Sequence, residues 1–99
     1  DFACYLNNLR SLRIVDLMEN KIKSIRMMIR INSDKFQRLI IDFNGLTRLE
    51  KNWFNSTVAS VRSLHMKSNK LEFIKEYFFN QFFRLEELIL AKNRISSIE

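Results

Sequence analysis

The sequence predicts an α/β repeat solenoid. Short strands would stack into one parallel sheet on a concave face, and irregular, short helical or 3-10 segments would close the convex side. Three observations predict this. Asn20, Asn44, Asn69 and Asn93 recur at intervals of 24, 25 and 24 residues. Each closes nearly the same apolar frame, and within each frame the apolar spacing changes from three to two. A fixed period of roughly 20 to 30 residues marks a chain that winds back on itself, each turn burying its apolar face on the next.

The units follow in order. In residues 6–25, Leu6, Leu9, Leu12 and Val15 step by three, as a helical turn would; Val15 and Leu17 then alternate like a strand with one buried face. Asn20 closes the frame, followed by Ile22 and Ile25. Residues 30–49 repeat it with Phe36, Leu39, Ile41, Asn44, Leu46 and Leu49, although residues 26–35 lack a clear apolar triad. Residues 54–74 carry Val61, Leu64, Met66, Asn69, Leu71 and Ile74, with one extra residue between Phe54 and Val61. Residues 79–98 supply Phe79, Phe82, Leu85, Leu88, Leu90, Asn93, Ile95 and Ile98. A helical bundle is the structural rival, favoured by the absence of Pro and a single Gly. A continuous amphipathic helix would keep its three-four rhythm past Leu17, and a bundle has no reason to repeat Asn in phase.

These frames resemble the leucine-rich repeat family over roughly residues 6 to 98. The apolar residue at every third position ahead of the strand, as in Phe79, Phe82 and Leu85, is similar to the family's animal extracellular type, with its typical 24-residue unit. Phe36 and Val61 stand where Leu is usual, and Met66 replaces a strand Leu. Residues 1–99 thus read as one segment of about four repeats, a fragment of a longer protein without its caps. The resemblance implies a non-enzymatic scaffold for protein–protein recognition, part of an extracellular receptor, adhesion or innate-immune protein, with room for a homo- or heterodimer. A cytosolic regulatory or adaptor protein is the alternative. So is the targeting arm of an enzyme whose catalytic domain lies elsewhere.

Bulk properties fit one domain: 46% hydrophobic residues are ample for a core, and 28% charged residues suit a solvated surface. No apolar run approaches the roughly 18 residues of a transmembrane helix, so any membrane contact is expected through parts outside these residues. The lone cysteine, Cys4, cannot form an internal disulfide. The sequon Asn55-Ser56-Thr57 matches the N-glycosylation pattern and falls in a non-strand segment. With the resemblance, it favours an extracellular or cell-surface location; the lone cysteine leaves a cytoplasmic one open.

Residues between the buried strand positions face away from the core. They make three columns across the concave face: Ile14, Arg38, Ser63, Glu87; Asp16, Ile40, His65, Ile89; and Met18, Asp42, Lys67, Ala91. Apolar side chains among both charge signs suit a protein partner. Nucleic acid needs a coherent basic track, and none is present. Phe43, just before Asn44, is the hot-spot candidate, with packing against a neighbouring turn as the alternative. The net charge of +6 is expected partly on a basic edge, Lys21, Lys70 and Arg94, interrupted by Gly45. It would attract an acidic partner or simply be solvated turns. Lys21, Lys23, Arg26 and Arg30 form a second basic cluster of the same kind.

The asparagines read as structural, because an amide both donates and accepts and can satisfy backbone groups in a buried turn. In Tyr77-Phe78-Phe79-Asn80-Gln81-Phe82-Phe83, Phe79 and Phe82 fit core positions. Phe78 and Phe83 are off-phase, either exposed or packed into the next turn. Trp53 and Phe54 fit core or edge packing. No catalytic, cofactor or metal constellation is expected: His65 is the sole histidine, far from Cys4, and there is no phosphate-cradling Gly-rich loop and no H-E-x-x-H. His65 is either a pH-sensitive contact or a plain solvated side chain.

Overall fold

A computed structural model describes residues 2–4, 11–23, 25–27, 35–50, 53–54 and 58–98. Its strands are β1 (Phe2–Cys4), β2 (Ile14–Asp16), β3 (Ile25–Met27), β4 (Arg38–Ile40), β5 (Ser63–His65), β6 (Phe73–Ile74), β7 (Glu87–Ile89) and β8 (Ser97–Ile98). A 3-10 helix, Glu76–Gln81, lies between β6 and β7. Leu6, Leu9 and the sequon at Asn55 fall outside the described residues.

Strands β2, β4, β5 and β7 form a four-stranded parallel sheet in that order. Val15, Leu39, Leu64 and Leu88 stand in register across it. The extra residue between Phe54 and Val61 is taken up in the return from β4 to β5, so Leu39 still faces Leu64. Two further parallel pairs, β1–β3 and β6–β8, form separate two-stranded sheets. The sequence pattern implied no strands there. Strands β3, β6 and β8 lie beyond Asn20, Asn69 and Asn93, and β1 lies about one period ahead of β3, so extended segments recurring at one period pair again.

The core is built from residues that the frames share. Ile22, Phe36, Leu39, Ile41, Leu46, Val61, Leu64, Met66, Leu71 and Ile74 are buried, and Leu12, Leu17, Leu49 and Leu90 pack against them half-buried. Burying each such aliphatic or aromatic side chain contributes roughly 1.5–3 kcal/mol. Leu88 departs from the expected wall: it is 39% exposed. Strand β7 is the outermost described strand of its sheet, so one flank of Leu88 has no packing partner among the described residues.

The aromatic block also differs in phase. Phe78 is buried and Phe79 only half-buried, whereas Phe82 is buried and Phe83 is 78% exposed. Phe82 caps the 3-10 helix with ψ of 75° and leaves the helical path. That breaks the step of three and lets Phe78 and Phe82 meet Phe54 edge-on, with ring centroids 5.9 and 5.8 Å away. Trp53 is buried beside them in the same core.

The asparagines tie successive units together. Asn44 Oδ1 accepts from the backbone N–H of Asn20 at 2.8 Å and of Ile22 at 2.9 Å. Its amide donates to the carbonyls of Leu17, Ile41 and Asp42. Asn69 accepts from Leu46 and donates back to Ile41 and Met66. Asn93 accepts from Leu71 and donates to Met66 and Leu90. The Ile41 and Met66 carbonyls therefore each receive amides from two asparagines. Asn20 differs: it is exposed, and its amide donates only to Met18 in its own turn among the described residues.

The residue before each asparagine has a left-handed backbone: Glu19, Phe43, Ser68 and Lys92, with φ of 59°, 55°, 56° and 58°. Backbone N–H bonds from Glu19 to Asp42, Phe43 to Lys67 and Ser68 to Ala91 hold three of these turns. The twist carries the chain off the strand and aims the next side chain inward. None of these residues is glycine, so each carries the steric cost of its Cβ, about 1–2 kcal/mol.

Candidate partner-binding face

Alternation along three-residue strands sends Leu39 and Leu64 into the core and their neighbours outward. The register then assembles the outward side chains into rows: Ile14, Arg38, Ser63 and Glu87, then Asp16, Ile40, His65 and Ile89. Ile14, Asp16, Arg38 and Glu87 are exposed, while Ile40, His65 and Ile89 are half-buried. Met18, Asp42, Lys67 and Ala91 follow just past the strand ends, where Asp42 Oδ1 accepts from the Lys67 backbone N–H at 2.7 Å. Asp16 makes the local equivalent, accepting from Met18 N–H at 3.0 Å. Phe43 is 44% exposed, with Lys67 Nζ 5.7 Å from its ring centroid. The fourfold repeat therefore brings the outward residues named from sequence onto one surface, with apolar Ile40 and Ile89 flanking His65.

An ion pair and a histidine–carboxylate hydrogen bond order one end of that surface. Arg62 Nη1 lies 2.7 Å from Glu86 Oε2, and His65 Nε2 lies 2.7 Å from Glu87 Oε1. The hydrogen bond to His65 holds the Glu87 carboxyl below its ordinary value of 4.5, aided by the charges of His65 and Arg38 and a hydrogen bond to Ser63. The Arg62–Glu86 pair is solvated, and such pairs add little stability. The two contacts do fix where these polar groups sit.

The sequence reading missed the row just before the strands: Arg13, Gln37, Arg62 and Glu86. With Ile14, Arg38, Ser63 and Glu87 it lines an open trough of about 380 Å³. Its signal was in phase with the repeat, four polar residues each two positions ahead of a strand leucine or valine. The structure also exposes Phe73 and Tyr77 away from the sheet face, with Lys75 Nζ 5.9 Å from the Tyr77 ring.

Lys21, Lys70 and Arg94 are exposed where the chain leaves successive turns. A Cβ added at Gly45 would lie 3.5 Å from Lys23 Cγ, so the stem of Lys23 spans the gap in that row. None of these four cations is in an ion pair among the described residues. Of the second cluster, the side chains of Arg26 and Arg30 are not among those described. Among the described residues, no group of three or more His, Cys, Asp or Glu could hold a metal ion. No helix there is long and apolar enough to cross a membrane. The surface combines apolar side chains with both charge signs on one face.

A family profile described as leucine rich repeat matches residues 34–95, more than half of the chain. No curated protein matches the chain in sequence.

Proposed function

The chain belongs to the leucine-rich repeat family, and from that membership we infer a non-enzymatic scaffold that binds a protein partner on the outward face of its four-stranded sheet. The carrying observation is the composition of that face. Ile14, Met18, Phe43, Ile40 and Ile89 present apolar surface among Asp16, Arg38, His65 and Glu87, the pattern of anchors within a polar surround that protein interfaces use. A repeated fold extends such a face by one row per unit, which suits a solenoid. Its place is an extracellular or cell-surface receptor, adhesion or innate-immune protein. Support comes from the step-of-three residues before the last strand and the Asn55 sequon. The lone cysteine leaves room for the second reading, a cytosolic adaptor.

The test uses a photo-crosslinking residue at positions 40, 65 or 89, and separately at 77 or 83, in the full-length protein in its native cells. Crosslinks to one partner should come from the sheet positions and be lost with Ile40→Asp plus Ile89→Asp at unchanged thermal stability. Crosslinks confined to 77 or 83 would move the interface off the sheet. For location, removing N-glycans should shift the mass of the Asn55 peptide; an unmodified Asn55 in the native protein would favour the cytosolic reading.

A further inference from the structure

We propose that the trough ahead of the strands takes an acidic stretch of the protein partner, its carboxylates held by Arg13 and Arg38; this rests on the recognition reading above. The rim is built rigidly. Arg13 O accepts from the N–H groups of both Gln37 and Arg38, Gln37 O from Arg62 and Ser63, and Arg62 O from Glu86 and Glu87. Each unit thus pins two consecutive rim residues of the next, and the side chains leave a fixed backbone into about 380 Å³ of open space.

Charge is divided unevenly along that space. Toward β7, Arg62 is paired with Glu86, and Glu87 is hydrogen-bonded to His65. Toward β2 and β4, Arg13 and Arg38 are exposed and in no ion pair among the described residues. Arg38 acts on Glu87 only as the weakest of the influences on its carboxyl. Both arginines line the trough from adjacent units, whose strands lie about 4.8 Å apart, and a guanidinium fork matches a carboxylate in two-point geometry. Gln37 between them adds a neutral amide that can also donate.

The opposite end excludes a uniform polyanion. A nucleic-acid backbone or sulfated chain laid along the trough would bring negative charge against Glu86 and Glu87. A peptide can change sign along its length. The geometry therefore favours a segment that is acidic over β2 and β4 and neutral or basic over β7.

The experiment follows the arginine Nε–H signals of the full chain by NMR. Four acetylated octapeptides on one Ser/Gly host are titrated, carrying paired Glu, Gln, Lys or phosphoserine at the same positions. The Glu peptide should shift Arg13 and Arg38 saturably, and the Gln and Lys peptides should not. Arg13→Gln with Arg38→Gln should weaken Glu-peptide binding at least about tenfold, while the melting temperature stays the same because both side chains are solvated. Equal binding of Glu and Gln peptides, or shifts centred on Arg94, would overturn the proposal. Saturation by the phosphoserine peptide alone would make the trough a phosphate site and overturn the carboxylate assignment. In the crosslinking assay, capture lost with Ile40→Asp plus Ile89→Asp but intact with the arginine pair replaced would sink this subsite and leave the face standing. Capture intact in both would sink the two readings together.

Discussion

Replacing Asn44 by alanine should destabilise the protein far more than the same change at Asn20, although the two occupy matching places in the sequence. Asn44 is 9% exposed. Its Oδ1 is the partner of the buried Ile22 N–H and of the Asn20 N–H. Without it the Ile22 N–H is stranded, at about 1–3 kcal/mol. The Asn20 N–H lies nearer solvent and can turn to water. On the donor side the loss is softened, because the Ile41 carbonyl keeps the Asn69 amide at 3.1 Å. The expected total is about 2–3 kcal/mol, which for a chain of this size lowers the melting temperature by roughly 8–24 °C. Asn20→Ala removes one exposed 3.2 Å bond to Met18 and should cost within about 0.5 kcal/mol. The assay is urea unfolding followed by circular dichroism and by fluorescence of the single tryptophan, Trp53, which is buried. Coincident transitions are needed before a single free energy is assigned. Equal losses at the two sites, or a loss below about 1 kcal/mol at Asn44, would refute the inference that burial of the turn decides the cost.

Two further outcomes follow from the turns and from the carboxylate on the sheet face. Lys92→Asn should stabilise the protein by about 0.5–1 kcal/mol by relieving part of the left-handed strain at φ 58°. The same change at Lys70, whose φ is not positive, should leave the urea midpoint alone; equal effects at both would discard strain as the cause. The carboxyl of Glu87 titrates below its ordinary value of 4.5, so its contribution is present above that pH and lost as pH falls through the lowered value. The stability difference between the native chain and Glu87→Gln should therefore vanish in acid, and a difference that persisted there would assign the effect to something other than this charge.

Much of the fold was legible because leucine and asparagine do opposite jobs at fixed spacing. Leu39, Ile41 and Leu64 had to be buried together once the period implied stacking, and Asn44 and Asn69 then needed backbone groups to satisfy. Periodicity cannot say where stacking stops. Asn20 and Leu88 carry the frame of their unit, yet both are exposed, because burial depends on the neighbour and not on the residue. Phase also failed at the return segments. The capping turn at Phe82 accompanies an inward Phe78, and extended residues outside the main strands paired again as β1–β3 and β6–β8. The left-handed residues carried no glycine to announce them.

By itself, then, the sequence determined a repeating unit, its strand, its buried faces and the rows of outward residues, since these follow from the alternation of side chains along an extended chain. Only the tertiary structure decided which charges meet. Arg62 finds Glu86, and His65 finds Glu87, across units 24 and 22 residues apart in the chain. Which arginines of the trough stay outside an ion pair among the described residues, Arg13 and Arg38, depends on side-chain reach across neighbouring strands, which spacing along one chain does not contain.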